Sequence, residues 1–157
     1  MPSRKKNDMI PIEENIQDNA RENNHLRKLV ERLSEDDLRT PMDAGWTVSA
    51  VLAHLAFWDQ RAITLIEKWE QEGVSGSAID VDVVNEVTRR LCLAVPPGKA
   101  AELAITIADE IDQLIADLNP EMVEAILTTG TTVKLNRADH RRTHLGEIEK
   151  VLQEKTA

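Results

Sequence analysis

The chain has 157 residues, 41% of them hydrophobic but only 3% aromatic, with no Tyr and one Phe. That length suits one domain that buries most of its surface, and a composition led by Ala, Leu, Ile, Glu and Asp favours helices over strands. The formal net charge of −9 repels a phosphate backbone, with no basic stripe interleaved with aromatics to offset it, which excludes nucleic-acid binding; no apolar run is long enough to span a bilayer.

Residues 1–10 read as a disordered tail, and a single helical domain is expected over 11–157. The basic run Arg4-Lys5-Lys6 is followed by Asn and Asp instead of an apolar core, so it is neither a signal peptide nor a membrane anchor. The lone cysteine, Cys92, has no intrachain disulfide partner, which suits a cytoplasmic location, and it reads as a small core filler on a helix. The first helix is expected from about Pro11 through Ile12, Ile16, Leu26, Leu29, Val30 and Leu33. Its middle, Gln17 to Asn24, holds almost no large apolar residue, which places this helix on the outside with its second half the better buried. His25 then reads as an exposed helical histidine.

Ser34 to Gly45 is rich in turn formers. A strong start signal follows: Thr47 can cap a second helix, and Trp46 can staple onto Val51. Val48, Val51, Leu52, Leu55, Asp59, Ala62, Ile66 and Trp69 recur at helical spacing as its buried stripe. His54 falls about 80° to one side of that stripe's centre, with Trp58. Asp59 lies on the stripe itself, where an unpaired carboxylate is costly, so it needs an arginine or a place beside a site.

Gln71 to Ala78 reads as a flexible connection, and Val81 to Ala94 as a shorter third helix that Pro96, Pro97 and Gly98 end. The fourth helix is expected from about Lys99 to Leu118, closed by Asn119-Pro120. Glu121 to Leu127 can add a short helical turn. Thr128 to Leu135, β-branched and threonine-rich, is an irregular crossover that returns the final helix, Ala138 to Leu152, beside the second.

Two of the four histidines sit on that final helix, His140 and His144. Positions four apart differ by about 40° around the axis and lie within roughly 6 Å, so both imidazoles can reach one point. Ile148 and Val151 continue the same face, which turns the pair toward the interior, where two histidines need polar partners or a metal. His54 is the only other histidine within a strongly apolar helical pattern and is the expected third ligand. Three imidazoles leave a fourth position for water or substrate, and they favour zinc, nickel or copper over magnesium. Glu147 is close to the same face and could orient an imidazole or act as a base, although a solvated helix carboxylate explains it as well. Asn85 is a candidate polar wall of the same cavity.

The entry Gly45-Trp46-Thr47-Val48 into a helix holding His54, followed far downstream by His140-Arg141-Arg142-Thr143-His144-Leu145-Gly146-Glu147-Ile148, resembles the DinB/YfiT-like superfamily. The resemblance covers about Glu13 to Leu152. It implies an all-α four-helix bundle with up-down-down-up connections, and a divalent zinc or nickel held by His54, His140 and His144 with water completing the shell. It implies a thiol-dependent S-transferase, or a related transferase or hydrolase, that acts on a small-molecule substrate with a low-molecular-weight thiol, and a homodimer. The first helix or the surroundings of Trp69 are the surfaces expected to pair. The competing reading is a non-catalytic stress-response or small-molecule-binding module in which the metal is a structural clamp.

Overall fold

In a computed structural model that describes residues 10–156, the segments with helical apolar spacing all form helices. In chain order they are α1 (Ile10–Arg32), α2 (Glu35–Leu38), α3 (Val48–Glu72), α4 (Val81–Ala94), α5 (Pro97–Ala116), α6 (Pro120–Thr129) and α7 (Ala138–Thr156). The described residues contain no strand, only an isolated bridge between Pro41 and Thr47. The tail expected over residues 1–10 lies outside the described residues, apart from Ile10, which opens α1.

The expected stripe on α3 is buried along its length, from Val48 to Trp69. It packs chiefly on α5, where Ala101, Ala104 and Ala108 let the two backbones approach. α1 lies against α5 and α7, bringing Leu26 and Leu29 onto Leu145 and Ile148 in the same core. A second cluster joins Ile63, Ile66 and Trp69 of α3 to Ile111 and Ile115 of α5, Ile126 of α6 and Leu135 of the crossover. Trp69, expected near a surface contact, is only 2% exposed.

Helix ends follow their sequence signals. Thr47 caps α3, its hydroxyl accepting from the Ala50 amide at 3.2 Å, and Trp46 packs on the core that contains Val51. Before it, Ala44 and Gly45 both take positive φ, 56° and 81°, and Arg89 of α4 donates to the Ala44 carbonyl at 3.2 Å. At Gly45 a φ of 81° would strain a residue that carries a Cβ, and that Cβ would also displace the Arg89 guanidinium, so glycine suits the turn that feeds α3.

Two sequence expectations are corrected here. α4 ends at Ala94 as the proline cluster requires, but the next helix, α5, opens at Pro97 and not at about Lys99, because a proline at the first helical position lacks only an amide that the helix leaves unused. The polar middle of α1 is not on the outside: Asn19, Glu22 and Asn23 are buried at 1, 7 and 8% exposure. Most of their polar atoms bond groups elsewhere in the chain, with Asn23 Oδ1 left buried and unpartnered. The Asn19 side-chain carbonyl accepts from the amides of Arg137 at 2.7 Å and Ala138 at 3.0 Å, capping α7 from a distance, and its amide donates to the Leu135 carbonyl at 2.9 Å. Asn23 donates to Asp109 and Asp112 of α5, both at 3.0 Å.

Candidate metal centre

α3 and α7 bring His54, His140 and His144 together at one end of the core, each offering a ring nitrogen within 4.8 Å of the others. Among the described residues no other group of His, Cys, Asp or Glu converges in this way. His54 Nε2 and His140 Nε2 face each other at 3.1 Å, and the three rings meet edge to face with centroids 4.7 to 5.0 Å apart. The four-residue spacing on α7 accounts for the second and third imidazoles, and the capped entry of α3 for the first.

The electrostatics keep two of these rings neutral. Burial, with His144 beside it, pushes the His54 imidazole down to about 4, and burial together with His144 and His54 pushes His140 down to about 3. Two neutral imidazoles nose to nose can share only one proton, so the arrangement concentrates lone pairs. Glu147 sets the third ring: its carboxylate accepts from His144 Nδ1 at 3.0 Å, leaving Nε2 of His144 as the acceptor nitrogen. Glu147 is 53% exposed at its side chain, so the solvated carboxylate of the sequence reading also hydrogen-bonds to the triad.

A divalent transition metal fits this donor set. Ligand nitrogens about 2.0–2.1 Å from one ion stand roughly 3.3 Å from each other in a tetrahedral shell, close to the His54 to His140 separation. The three histidines could therefore hold a metal ion. His54 Nδ1 is buried with no hydrogen-bond partner, so this ring lacks the second partner that commonly orients a ligating histidine. Trp46 and Trp58 hold it by packing instead, edge-on at centroid distances of 5.4 and 6.4 Å.

A cleft of about 970 Å³ opens beside the triad, lined by all three histidines with Trp46, Trp58, Asn85 and Glu147 among others. Asn85 takes the wall position the sequence proposed for it. Its carbonyl accepts from Trp58 Nε1 at 3.0 Å, which turns the amide donors away from Trp58.

Behind the histidines lies a buried charge network that the sequence announced only in part. Asp59, 3% exposed, accepts from Arg137 Nε at 2.9 Å and from Arg141 at 3.3 Å. Arg141, 1% exposed, also donates twice to Asp112 at 2.8 Å and to the Asn19 carbonyl at 3.1 Å. The buried Asp59 required an arginine; which one was hidden, because Arg137 and Arg141 look like ordinary charges of a polar helix. The available signal was their spacing, four apart and flanking His140. His25 departs from expectation too: it is half-buried, bridging Glu22 at 2.9 Å and Glu149 of α7. No ligand-type residue within α1 could have revealed the α7 partner.

No helix among the described residues is long and apolar enough to cross a membrane. No curated protein and no solved structure matches the chain. The family model described as the DinB superfamily does match, over residues 19–148, a span that contains all three histidines, the whole of α3 and the first part of α7 as far as Ile148. With the ordered histidines, the all-helical fold and that match in agreement, the chain belongs to the DinB superfamily.

Proposed function

We propose that the protein is a metal-dependent enzyme of this superfamily, a thiol-dependent S-transferase or a related transferase or hydrolase, with His54, His140 and His144 as the ligands of one zinc or nickel ion. The observation that carries it is the convergence of three ring nitrogens on the wall of an open cleft, with no fourth protein ligand beside them among the described residues. A structural clamp would fill its fourth position from the protein; three ligands beside a cleft leave it to a small molecule. His54, His140 and His144 would hold the cation, which would supply a lowered pKa to a water or thiol entering the cleft.

The chain's own residues do the rest. Glu147 fixes the His144 tautomer through Nδ1 and is placed to take a proton at its carboxylate from a group entering the cleft. Trp46 and Trp58 shield His54 from water, and Asn85 offers amide donors to an acceptor on the substrate. As part of the same reading we place one bundle over residues 11–157, with α1, α3, α5 and α7 in up-down-down-up order, which the packing of α3 on α5 and of α1 on α7 supports. The lone Cys92 supports a reducing, cytoplasmic setting.

The test is to load the purified chain with zinc or nickel and screen electrophiles with several low-molecular-weight thiols, and hydrolysable substrates without thiol. Turnover above that of the H54A/H140A/H144A variant is expected in one panel, and Glu147→Gln should cut it sharply with metal retained. No turnover in either panel, with the metal inaccessible to small chelators, would favour the structural clamp.

A further inference from the structure

The side chains that α4 buries are small, Thr88 and Cys92, and it packs on α3 and stands off α5. An apolar groove of about 620 Å³ runs where the two would otherwise meet. Ala53, Ala56 and Phe57 of α3 line it together with Leu91 of α4 and Leu103 and Ile107 of α5.

The groove has two unlike ends. At one, Ala53 packs with Cys92 and Val95 in an apolar cluster. At the other stand Gln60, Arg61 and Thr64, with Arg61 roughly 12 Å along the α3 axis from Ala53. Arg61 is the one charged residue in the lining. Its Nη2 donates to the Ser77 carbonyl at 3.1 Å and to the Thr132 hydroxyl at 2.9 Å, while Nη1 has no partner among the described residues. No carboxylate among the described residues pairs with it, and burial, with Arg137 nearby, disfavours its charge. The buried arginines behind the histidines each have an aspartate; Arg61 is a half-buried cation without a counter-ion.

We infer that the groove binds a free medium-chain carboxylate, its alkyl tail laid toward Ala53 and its carboxylate accepting from Arg61 Nη1. A mostly apolar cavity with a few polar groups gathered at one end is the usual form of a small-molecule site. One cation with no second charge in the lining suits a monoanion and leaves a phosphate dianion half-balanced. The apolar run between Arg61 and Ala53 requires a tail, and Leu91, 66% exposed at the rim, is covered when the tail is in place. The site is separate from the histidine cleft: Trp58 stands between them, with the Arg61 guanidinium over its ring at 5.7 Å and His54 edge-on to it.

Isothermal titration of the full chain with decanoate, kept below its micelle concentration, tests the inference without reference to the metal. Saturable binding is expected, and equally in the H54A/H140A/H144A variant. From hexanoate to decanoate the affinity should rise about fourfold with each added methylene. Arg61→Gln should weaken decanoate about tenfold and leave decanol, which shares the tail, unchanged. Leu91→Asp should weaken both ligands, and Leu127→Asp, at an exposed position on α6, neither. Absence of saturable binding, binding that disappears with the histidines, an Arg61→Gln variant that weakens both ligands equally or neither, or capture by anionic phospholipid vesicles without binding of free decanoate would overturn it.

Discussion

Asp59→Ala should be among the most destabilising single substitutions outside the apolar core. In the folded protein two buried arginines, Arg137 and Arg141, share two carboxylates, Asp59 and Asp112, and all four helices that meet there contribute to the network. Removing Asp59 leaves two cations facing one anion at a site where Arg141 is 1% and Arg137 9% exposed. Losing one partner of a buried pair costs about 3–5 kcal/mol, because the remaining charge stays desolvated. Arg141 keeps two bonds to Asp112 at 2.8 Å, which places the loss at the lower end, about 3 kcal/mol. For a chain of this size, about 2–4 °C of melting temperature per kcal/mol makes that a fall of roughly 6–12 °C. Urea unfolding followed by circular dichroism reads it directly. A midpoint shift worth less than about 1 kcal/mol, with the slope unchanged, would show that the network contributes geometry but little stability, and the reasoning would be wrong.

Asn19→Ala should cost roughly 3 kcal/mol or more, measured the same way, since it orphans the amides of Arg137 and Ala138 and the carbonyl of Leu135; a cost near that of an exposed residue would contradict the buried cap. Thr47→Ala should cost about 1 kcal/mol through loss of the α3 cap. For His25, burial lowers the pKa but the hydrogen bonds its ring donates to Glu22 and Glu149 prevail, and it lies above its ordinary 6.5. A raised folded value means stability that is complete below the unfolded value and lost as pH rises through the folded one, so the advantage of wild type over His25→Gln should shrink from about pH 6 upward. His54 and His140 run the other way in metal-free protein. With folded values of about 4 and about 3 against an ordinary 6.5, their contribution is present above 6.5 and drains as pH falls toward those values, which acid titration of chelator-treated protein should show.

The parts of this molecule legible in its sequence are those governed by local rules. Apolar spacing located α3 and the ends of α4, Thr47 declared its cap, and the four-residue interval between His140 and His144 set two rings on one face of α7. Asp59 could be recognised as buried because it falls on an otherwise apolar stripe. What stayed hidden depends on partners far along the chain. Asn19, Glu22 and Asn23 look like a solvent face until α7 and the crossover bring Arg137, Arg142 and Leu135 to them. Pro97 reads only as part of the stop after α4, yet it also serves as the first residue of α5. The exposure of Val83, Val87 and Leu91 on α4 was invisible for the opposite reason: periodicity shows that a helix has an apolar face but not whether anything covers it.

The central claim is that His54 on α3 and His140 and His144 on α7 form one metal site, and metal analysis of the chain purified without a histidine tag or chelator tests it most directly. Close to one zinc or nickel per chain is expected. His54→Ala should lose most of the affinity although it leaves the pair on α7 untouched, because two imidazoles do not close a coordination shell. Equal metal content in the wild type and in the H54A/H140A/H144A variant would contradict the account.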